Sequence, residues 1–225
     1  LRLAREGVSV AVNYSRSREE AEKTALEARA LGVEALAVQA DVSSEAGAES
    51  AVAQAAEAFG RLDILVNNAG MTKFVAFKDL DGLNEDDWLT MYKTNTLSVF
   101  FAARAAARIM KKNGGGRIVN TVSNAGLRPQ GSSIAYSVSK AAGVHLTKCL
   151  AVALAPEITV NAVAPGLLLT RWHKNTSAED IAKNKRRAAL GKDVSLDECA
   201  AMVIALLQND NITGQTVTVD SGIVI

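Results

Sequence analysis

Short apolar runs alternate with longer stretches of helical periodicity from one end of the chain to the other. Runs with the length and β-branched content of strands lie at 8–12, 33–39, 62–66, 117–122, 158–163 and 216–219. Apolar residues repeat at helical spacing over 19–31, 43–59, 85–112, 134–154 and 195–207. Strands that alternate with helices pair in parallel, because a parallel neighbour requires a crossover connection. The pattern predicts an α/β fold, a doubly wound parallel sheet with helices on both faces.

Composition and charge exclude several classes of protein. The chain has 225 residues, of which 48% are hydrophobic and 22% charged, as is typical of one globular domain. Its 25 basic and 24 acidic residues give a net charge of +1, without the basic tract of a nucleic-acid-binding protein. No apolar run reaches the length of a membrane span. We therefore expect neither a nucleic acid nor a membrane as a partner.

Cysteine and histidine usage indicates a cytoplasmic protein without a metal centre. The two cysteines, Cys149 and Cys199, fall in separate helical segments and predict free thiols, as in reduced intracellular proteins. Two histidines and two cysteines scattered along the chain do not have the spacing of zinc ligands. We expect no metal and no disulfide.

Polar or small residues follow four of the predicted strands, where a doubly wound sheet binds its ligands. They are Asp41-Val42, Asn67-Asn68-Ala69-Gly70, Ser123 and Pro165-Gly166. Each group, taken alone, is explained at least as well by a strand-ending turn or a helix cap. Asn95 lies within the long predicted helix, although asparagine is a mediocre helix former, and this position suggests a specific role. A hydrogen-bonded amide on the helix surface is the ordinary alternative.

Tyr136 and Lys140 stand four residues apart near the start of the predicted helix 134–154, so they share one face. A free tyrosine has a pKa of about 10 and is a poor proton donor or acceptor at neutral pH. A neighbouring ammonium stabilises the phenolate and lowers that pKa. The pair alone is a weak motif, since an exposed tyrosine and lysine often share a helix face. Ser123 lies thirteen residues before Tyr136, and its presence strengthens the interpretation of the Tyr136–Lys140 pair as a catalytic motif.

Together these residues resemble the short-chain dehydrogenase/reductase family, in family order and over nearly the whole chain. The matching motifs are Asp41-Val42, Asn67-Asn68-Ala69-Gly70, the helix with Asn95, Ser123, Tyr136-x-x-x-Lys140, Asn161-Ala162-Val163-Ala164-Pro165-Gly166, Ile212-Thr213-Gly214-Gln215 and Asp220-Ser221-Gly222. Within the family, the chain is similar to the 3-oxoacyl-acyl-carrier-protein reductases and to general carbonyl and alcohol oxidoreductases. The resemblance implies a single-domain, Rossmann-type fold and an NAD(P)-dependent enzyme that interconverts a carbonyl and an alcohol.

The resemblance also implies a role for each matching residue. Tyr136 is expected to be the acid in reduction and the base in oxidation, while Lys140 lowers its pKa and binds the nicotinamide ribose. Ser123 is expected to hold the substrate oxygen, and Asn95 to anchor a water that links Lys140 to solvent. The implied cofactor contacts are Asp41 and Val42 for the adenine, Asn67, Asn68, Ala69 and Gly70 for the cleft, and Pro165, Gly166, Leu168 and Thr170 for the nicotinamide and pyrophosphate.

The residues after the first strand bear on the choice between the two nicotinamide cofactors. NAD-dependent enzymes usually place an Asp or Glu there to bind the ribose 2′-hydroxyl. This chain has Asn13, Ser15 and Arg16 at that position and no carboxylate. An arginine suits a 2′-phosphate through its planar donor fork. We expect NADP(H) to be preferred over NAD(H), and two ordinary solvated arginines, Arg16 and Arg18, are the alternative explanation.

The family's first strand and its Gly-rich turn have no counterpart among these residues. Residues 1–7 have the pattern of the last turns of a helix, with Gly7 as a left-handed cap. We expect roughly 20 to 25 further residues before Leu1, the length of one strand, one turn and a helix start. Without them, the sheet is expected to have an open slot with unpaired backbone groups.

Residues 167–190 are predicted to form a polar, irregular loop with one or two short helices, and in the family this loop covers the active site. Trp172 either forms a wall of the pocket or packs the loop. The loop also carries Arg171, His173 and Lys174. A solvated polar face explains this charge more simply than attraction of an acidic carrier protein or an anionic substrate.

Three functions remain as alternatives, all on the same fold. A carbonyl reductase or alcohol dehydrogenase acting on a small molecule uses Asn95, Ser123, Tyr136 and Lys140 together. A non-catalytic nucleotide-binding or regulatory protein has no need of all four. An epimerase-like or dehydratase-like enzyme would use the same tyrosine and lysine. The resemblance also implies a homotetramer or homodimer, formed through the helices 85–112 and 134–154.

Overall fold

The computed structural model describes residues 1–170, 172 and 176–225. The strands in this part of the chain are β1 (Val10–Tyr14), β2 (Ala35–Gln39), β3 (Ile64–Asn67), β4 (Gly116–Thr121), β5 (Ile158–Pro165) and β6 (Thr216–Val219). The helices are α1 (Arg2–Arg5), α2 (Arg18–Arg29), α3 (Glu45–Phe59), α4 (Glu85–Tyr92), α5 (Ser98–Met110), α6 (Ile134–Leu154), α7 (Ala178–Arg187) and α8 (Leu196–Leu207). No helix in the described ranges is long and apolar enough to cross a membrane.

The strands pair in parallel and form two sheets. The smaller sheet consists of β1 and β2, with Val10 opposite Ala35 and Tyr14 opposite Gln39. The larger sheet has the order β3-β4-β5-β6. Among the described residues, no hydrogen-bonded ladder joins one sheet to the other. Parallel pairing with intervening helices confirms the predicted doubly wound α/β fold, and the further residues expected before Leu1 stay a prediction.

Helices cover both faces of the larger sheet. One core cluster joins α3, α5 and α6 to the sheet, with Ile118 of β4 at its centre. A second cluster joins α8 to the other face, where it includes Val119 and Val163. Ile118 and Val119 are neighbours in β4 and point to opposite faces, as the two-residue period of a strand requires. The carboxyl ends of the strands therefore form one edge between two helical layers.

The short helix α1 contacts the layers of both sheets. Ala4 is buried in a cluster with Ala25 of α2 and Ala35 of β2. Leu3, one residue earlier, packs instead into the cluster of α8 and the larger sheet. Gly7 follows the helix with a φ of 80°, and its N–H donates to the Ala4 carbonyl oxygen at 3.0 Å. The predicted left-handed glycine cap is therefore present.

The helix predicted over 85–112 is not continuous, which corrects the expectation from periodicity. α4 ends at Tyr92, the residues Lys93–Leu97 form a π-helical turn, and α5 begins at Ser98. A wider turn of this kind often marks a functional site. Here it contains Asn95, whose side chain bonds to the segment after β3. Periodicity does not predict the interruption, because the partner of Asn95 is distant in sequence.

Other bounds differ from expectation by one or two residues. β1 covers Val10–Tyr14 instead of 8–12, and β3 covers Ile64–Asn67 instead of 62–66. α3 is capped by Ser44, whose Oγ accepts the Gly47 N–H at 3.1 Å. The loop predicted over 167–190 contains the helix α7.

Candidate active site

Helix α6 carries two of the predicted residues into the interior of the molecule. Ser133 caps the helix and accepts a hydrogen bond from the Tyr136 backbone N–H at 3.3 Å. Lys140 is 4% exposed, and its Nζ donates to the carbonyl oxygen of Thr121 at 2.9 Å. The same Nζ lies 5.9 Å from the centroid of the Tyr136 ring. The four-residue spacing therefore brings the phenol and the ammonium together at the carboxyl end of β4.

Ser123 follows β4 and precedes the 3₁₀ turn Asn124–Gly126. Its Oγ accepts a backbone N–H of that turn at 3.1 Å, and its hydroxyl acts to lower the pKa of the Tyr136 phenol. A Cβ on Gly126 would stand 2.6 Å from the carbonyl carbon of Lys140. Glycine is therefore needed for the turn to pack directly on α6. This packing keeps the serine next to the tyrosine.

Asn95, in the π-helical turn, is 2% exposed, and both the oxygen and the nitrogen of its side-chain amide form hydrogen bonds. Oδ1 accepts the Met71 N–H at 2.8 Å, and Nδ2 donates to the Met71 carbonyl oxygen at 3.0 Å. Nδ2 also donates to the Ser139 Oγ at 2.9 Å, and Ser139 donates to the Tyr136 carbonyl oxygen at 2.8 Å. One buried amide thus joins the segment after β3 to the helix of Tyr136 and Lys140.

Gly70, after β3, stands where these groups meet. A Cβ at this position would lie 3.2 Å from the Asn95 Oδ1 and 3.5 Å from the Lys140 Nζ. A larger residue would therefore cover the ammonium from this side. The structure brings Asn95, Ser123, Tyr136 and Lys140 together with Gly70, as the resemblance implies.

Burial sets the protonation of the two titratable groups. Removal from water disfavours the ammonium and lowers the pKa of Lys140 from 10.5 to about 8. Burial raises the pKa of Tyr136, and the hydrogen bond with Ser123 acts in the opposite direction. The sequence argument instead expects Lys140 to lower the pKa of Tyr136. Desolvation of the phenol is the largest effect here, so Tyr136 is protonated at neutral pH.

Pro165 is the last residue of β5, and the segment that follows the strand carries Gly166, Leu168 and Thr170. Leu168 packs into the core cluster of α8, and Thr170 donates its N–H to the Leu168 carbonyl oxygen at 2.8 Å. The segment leads to Trp172, whose ring meets Tyr136 edge-on with the centroids 6.5 Å apart. These predicted cofactor contacts therefore lie on one segment that leads to the tyrosine. Arg171, His173 and Lys174 lie outside the described residues.

The residues predicted for the adenosine end lie at the ends of β1 and β2. The side-chain amide of Asn13 bonds to the neighbouring strand and the residue after it, because Nδ2 donates to the carbonyl oxygens of Val38 and Ala40 at 3.1 Å each. Ser15 and Arg16 are exposed. The structure thus leaves the side chains of Ser15 and Arg16 accessible, whereas Asn13 ties β1 to β2.

Asp41 and Val42 follow β2 and differ in their surroundings. The Asp41 carboxylate accepts the Ser43 hydroxyl at 2.7 Å and the Ser43 N–H at 3.0 Å. These two bonds lower the pKa of Asp41, and the positive charge of Arg16 adds a smaller effect in the same direction. Val42 packs against the core cluster of α3 and α5.

Asn67, another predicted cleft residue, forms part of the sheet. Its Nδ2 donates to the Asn120 Oδ1 at 2.9 Å, and Asn120 donates to the Thr147 Oγ1 at 3.0 Å. This chain of amides links β3 through β4 to α6. The side-chain amide of Asn67 is therefore hydrogen-bonded within the sheet, while Ala69 is exposed beside Gly70.

Two residues near the site were not predicted as site residues, although Asp220 belongs to one of the motifs that carry the resemblance. Ser139 links Asn95 to α6, and its only signal in the sequence is a polar residue next to Lys140 on a helix. Asp220 is buried and accepts the backbone N–H groups of residues 222, 223 and 224. Its Oδ2 also accepts from Asn124, the residue after Ser123, at 3.3 Å. No local pattern reveals this contact, because Asn124 and Asp220 are far apart in the chain.

The described residues fit a ligand with a flat ring at one end and an anionic group at the other. Among the described residues the Lys140 Nζ donates one hydrogen bond, to Thr121, and an ammonium has three donors. Gly70 leaves the approach to that ammonium open. At the ends of β1 and β2, the exposed Arg16 provides a cation.

Comparison with known proteins agrees with this geometry. The family model described as short chain dehydrogenase matches residues 1–181. A 3-oxoacyl-acyl-carrier-protein reductase from Synechocystis is 36% identical over 230 residues, covering 100% of this chain and 90% of the relative.

Two solved structures show the same fold over almost the whole chain. A short chain dehydrogenase from Burkholderia cenocepacia in complex with NADP has a TM-score of 0.90 and 37% identity, covering 99% of this chain and 90% of that one. An NADPH-dependent 3-quinuclidinone reductase from Rhodotorula rubra has a TM-score of 0.89 and 27% identity, covering 98% of this chain and 84% of that one. Since the family model, the relatives and the fold all agree, the chain belongs to the short-chain dehydrogenase/reductase family and is an NAD(P)-dependent oxidoreductase.

Proposed function

We propose that the protein interconverts a small-molecule carbonyl compound and its alcohol, with NADP(H) as cofactor and Tyr136 as the general acid and base. The observation that carries the proposal is the convergence of Tyr136 and the buried Lys140 ammonium, 5.9 Å from the phenol ring, at the end of β4, where Ser123 follows the strand. The raised pKa of Tyr136 keeps the proton available for reduction at neutral pH.

In reduction, the nicotinamide supplies a hydride to the carbonyl carbon. Ser123 donates a hydrogen bond to the carbonyl oxygen and polarises the C=O bond. Tyr136 transfers its hydroxyl proton to that oxygen as negative charge develops on it, which leaves an alcohol and a phenolate. In oxidation, the phenolate takes the proton back.

Lys140 and Asn95 support this proton transfer. With a pKa of about 8, Lys140 is mostly charged at pH 7 and stabilises the phenolate of Tyr136. Asn95 holds Met71 and Ser139 and so fixes the walls around the ammonium. A relay water would use the second acceptor position of the Asn95 Oδ1, since Met71 takes one.

We assign the cofactor to residues at both ends of the cleft. The nicotinamide end comprises Tyr136, Lys140, Asn67, Ala69, Gly70, Pro165, Gly166, Leu168 and Thr170, and the adenosine end Asn13, Ser15, Arg16, Asp41 and Val42. The exposed guanidinium of Arg16 would pair with a 2′-phosphate. The NADP in the Burkholderia structure and the NADPH dependence of the Rhodotorula enzyme support the same choice.

Replacing Tyr136 by Phe tests the proton donor, because it removes the hydroxyl and keeps the ring. We expect kcat for reduction to fall about 10²- to 10⁴-fold, the usual contribution of general acid catalysis. NADPH affinity, measured by fluorescence titration, should change little. Tyr92→Phe, at an exposed position on α4, is the matched control. Full activity in Tyr136→Phe would contradict the assignment.

Comparing kcat/KM for NADPH and NADH tests the cofactor preference. We expect NADPH to be preferred, and Arg16→Ala to reduce this preference by lowering kcat/KM for NADPH alone. Arg18→Ala is the control, since the Arg18 guanidinium is already bonded to Glu22 at 2.6 Å. A preference of the unmodified protein for NADH would contradict the assignment.

We also propose a homotetramer or homodimer in the cytoplasm. Exposed apolar side chains on α5 and α6, such as Phe100 and Val152, support association through these helices. The free thiols of Cys149 and Cys199 support a reducing compartment. A monomeric mass in light scattering would contradict the assembly.

A further inference from the structure

A cleft of about 270 Å³ lies between the segment after β3 and Trp172, whose ring contacts the ring of Tyr136. It is lined by Gly70, Met71, Thr72, Phe74 and Trp172. Two of these residues are large aromatics that remain partly open to solvent, since Phe74 is 59% exposed and Trp172 39% exposed. Large exposed aromatics in a concave site are candidates for ligand contact.

The wall that carries Phe74 is fixed by hydrogen bonds on either side of this residue. Asn95 holds both backbone groups of Met71, at 2.8 and 3.0 Å. Ser132 accepts the Val75 N–H at 2.8 Å through its carbonyl oxygen. The position of Phe74 is therefore set by the fold, which reduces the cost of ordering it around a ligand.

The opposite wall, Trp172, connects the cleft to the reacting groups. Its ring meets the Tyr136 ring edge-on, at 6.5 Å between centroids and 73° between planes. The same indole approaches the space above Gly70, where a Cβ would lie 3.4 Å from its nearest carbon. A group resting against Trp172 is therefore next to the phenol.

Within the described ranges, no charged side chain lines this cleft. The nearest cation along the chain is Lys73, and its Nζ pairs with Asp87 at 2.6 Å. At the Phe74 and Trp172 walls, an anionic substituent would therefore find no cationic partner among the described residues, and burying an unpaired charge is unfavourable. A flat apolar group would instead find two aromatic faces and a methionine, which packs favourably against aromatic rings.

We propose that this cleft selects uncharged ketones that carry an aryl ring, with the ring against Phe74 and Trp172 and the carbonyl at Tyr136. The inference rests on the proposed function, because it takes Tyr136 to be the proton donor. It adds the substrate class and assigns Phe74 and Trp172 as specificity-determining residues.

Steady-state kinetics with NADPH tests the substrate class. We compare acetophenone with butanone, which lacks the ring, and with 4-acetylbenzoate, which adds a carboxylate. We expect kcat/KM to be highest for acetophenone, by about tenfold or more, as for the loss of one good apolar contact. Equal values for acetophenone and butanone, or a preference for 4-acetylbenzoate, would overturn the proposal.

Variants of Phe74 test the assignment of the residue. Phe74→Ala should lower kcat/KM for acetophenone about tenfold, mainly through KM, and leave butanone nearly unchanged. Phe74→Leu keeps an apolar side chain, so its kcat/KM for acetophenone should lie between the values of the unmodified protein and of Phe74→Ala. An equal loss for both ketones would show a structural role and count against the proposal.

Tryptophan fluorescence gives a readout that does not depend on turnover. The chain has two tryptophans, so Trp88→Phe leaves Trp172 as the single emitter. Trp88 has the same 39% exposure on α4, which makes its replacement a control for the kinetics as well. We expect 1-phenylethanol to shift the emission of Trp172 to the blue, saturably, as water leaves the cleft.

The two readouts separate failure of this inference from failure of the proposed function. A saturable shift without NADPH oxidation by any ketone would keep the aryl site and reject the reductase activity. Reduction of ketones without aryl preference and without a saturable shift would reject the aryl site alone.

Discussion

Lys140 is a residue whose charge is controlled by its surroundings. The side chain is almost completely buried, and burial lowers its pKa from 10.5 to about 8. Between these two values the unfolded chain holds a proton that the folded chain has released. The free energy of unfolding therefore rises with pH across this window. Below pH 8 the ammonium is charged in the folded chain as well, and its burial lowers the free energy of unfolding by the full amount.

Lys140→Met should remove this dependence. We expect the free energy of unfolding of the unmodified protein, relative to Lys140→Met, to rise by about 3 kcal/mol from pH 8 to pH 10.5. Denaturant titrations of the cofactor-free proteins across this range measure it. Lys148→Met, at an exposed position of the same helix, should leave the pH dependence as it is. A constant difference between the unmodified protein and Lys140→Met would contradict the assigned pKa.

Asn95 shows how a residue can be identified correctly for an incomplete reason. The sequence marks it as a mediocre helix former inside a helix, and the resemblance assigns it to a water relay. In the structure its amide joins Met71 to Ser139 within a π-helical turn. These contacts are not predictable from the sequence, because the partners lie 24 and 44 residues away.

At the level of structural elements, Asp220 joins three parts of the site. Its carboxylate accepts three backbone N–H groups from the end of the chain and the amide of Asn124. Asn124 opens the 3₁₀ turn that follows Ser123. The Asp220 Cβ also lies 3.0 Å from the place of a Cβ on Gly166, after β5. The carboxylate therefore ties the turn after β4 to the chain after β6, and the Asp220 side chain also packs next to Gly166 after β5.

Asp220→Asn should destabilise the protein, although the two side chains have the same shape. An amide offers one acceptor oxygen, and its NH₂ group would face a backbone N–H or the Asn124 amide, both of which are donors. We expect the free energy of unfolding to fall by about 2 kcal/mol, measured by denaturant titration. Asp210→Asn is the control, because Asp210 is exposed and pairs only with Arg117 among the described residues. Unchanged stability in Asp220→Asn would show that the carboxylate is not required.

On the scale of the whole molecule, helices contact the layers of both sheets. α1 is the shortest of these helices, and adjacent residues of it face different clusters. Ala4 packs toward α2 and β2, and Leu3 packs toward α8 and the larger sheet. Arg2 adds a surface ion pair with Asp197 of α8.

Leu3→Ala should therefore loosen the contact between the two sheets. A partly buried leucine truncated to alanine costs about 2 kcal/mol, at the low end of the range for core positions. Thermal and denaturant unfolding measure the loss, and hydrogen exchange of β1 and β2 should increase more than that of β4 and β5. Leu1→Ala removes an exposed leucine two residues away and should have little effect. Equal protection loss in both sheets would contradict a linking role for α1.

The α/β class, the parallel pairing and the family are predictable from the amino-acid sequence, because strand and helix periods and short motifs are local properties of the chain. The same holds for the selection of Asn95, Ser123, Tyr136 and Lys140 as candidate residues. Only the tertiary structure decides the protonation of Tyr136 and Lys140, the tie between Asn124 and Asp220, and the pairing of Phe74 with Trp172 around one cleft. Desolvation and contacts between distant segments exist only once the chain is folded, so no local pattern contains them.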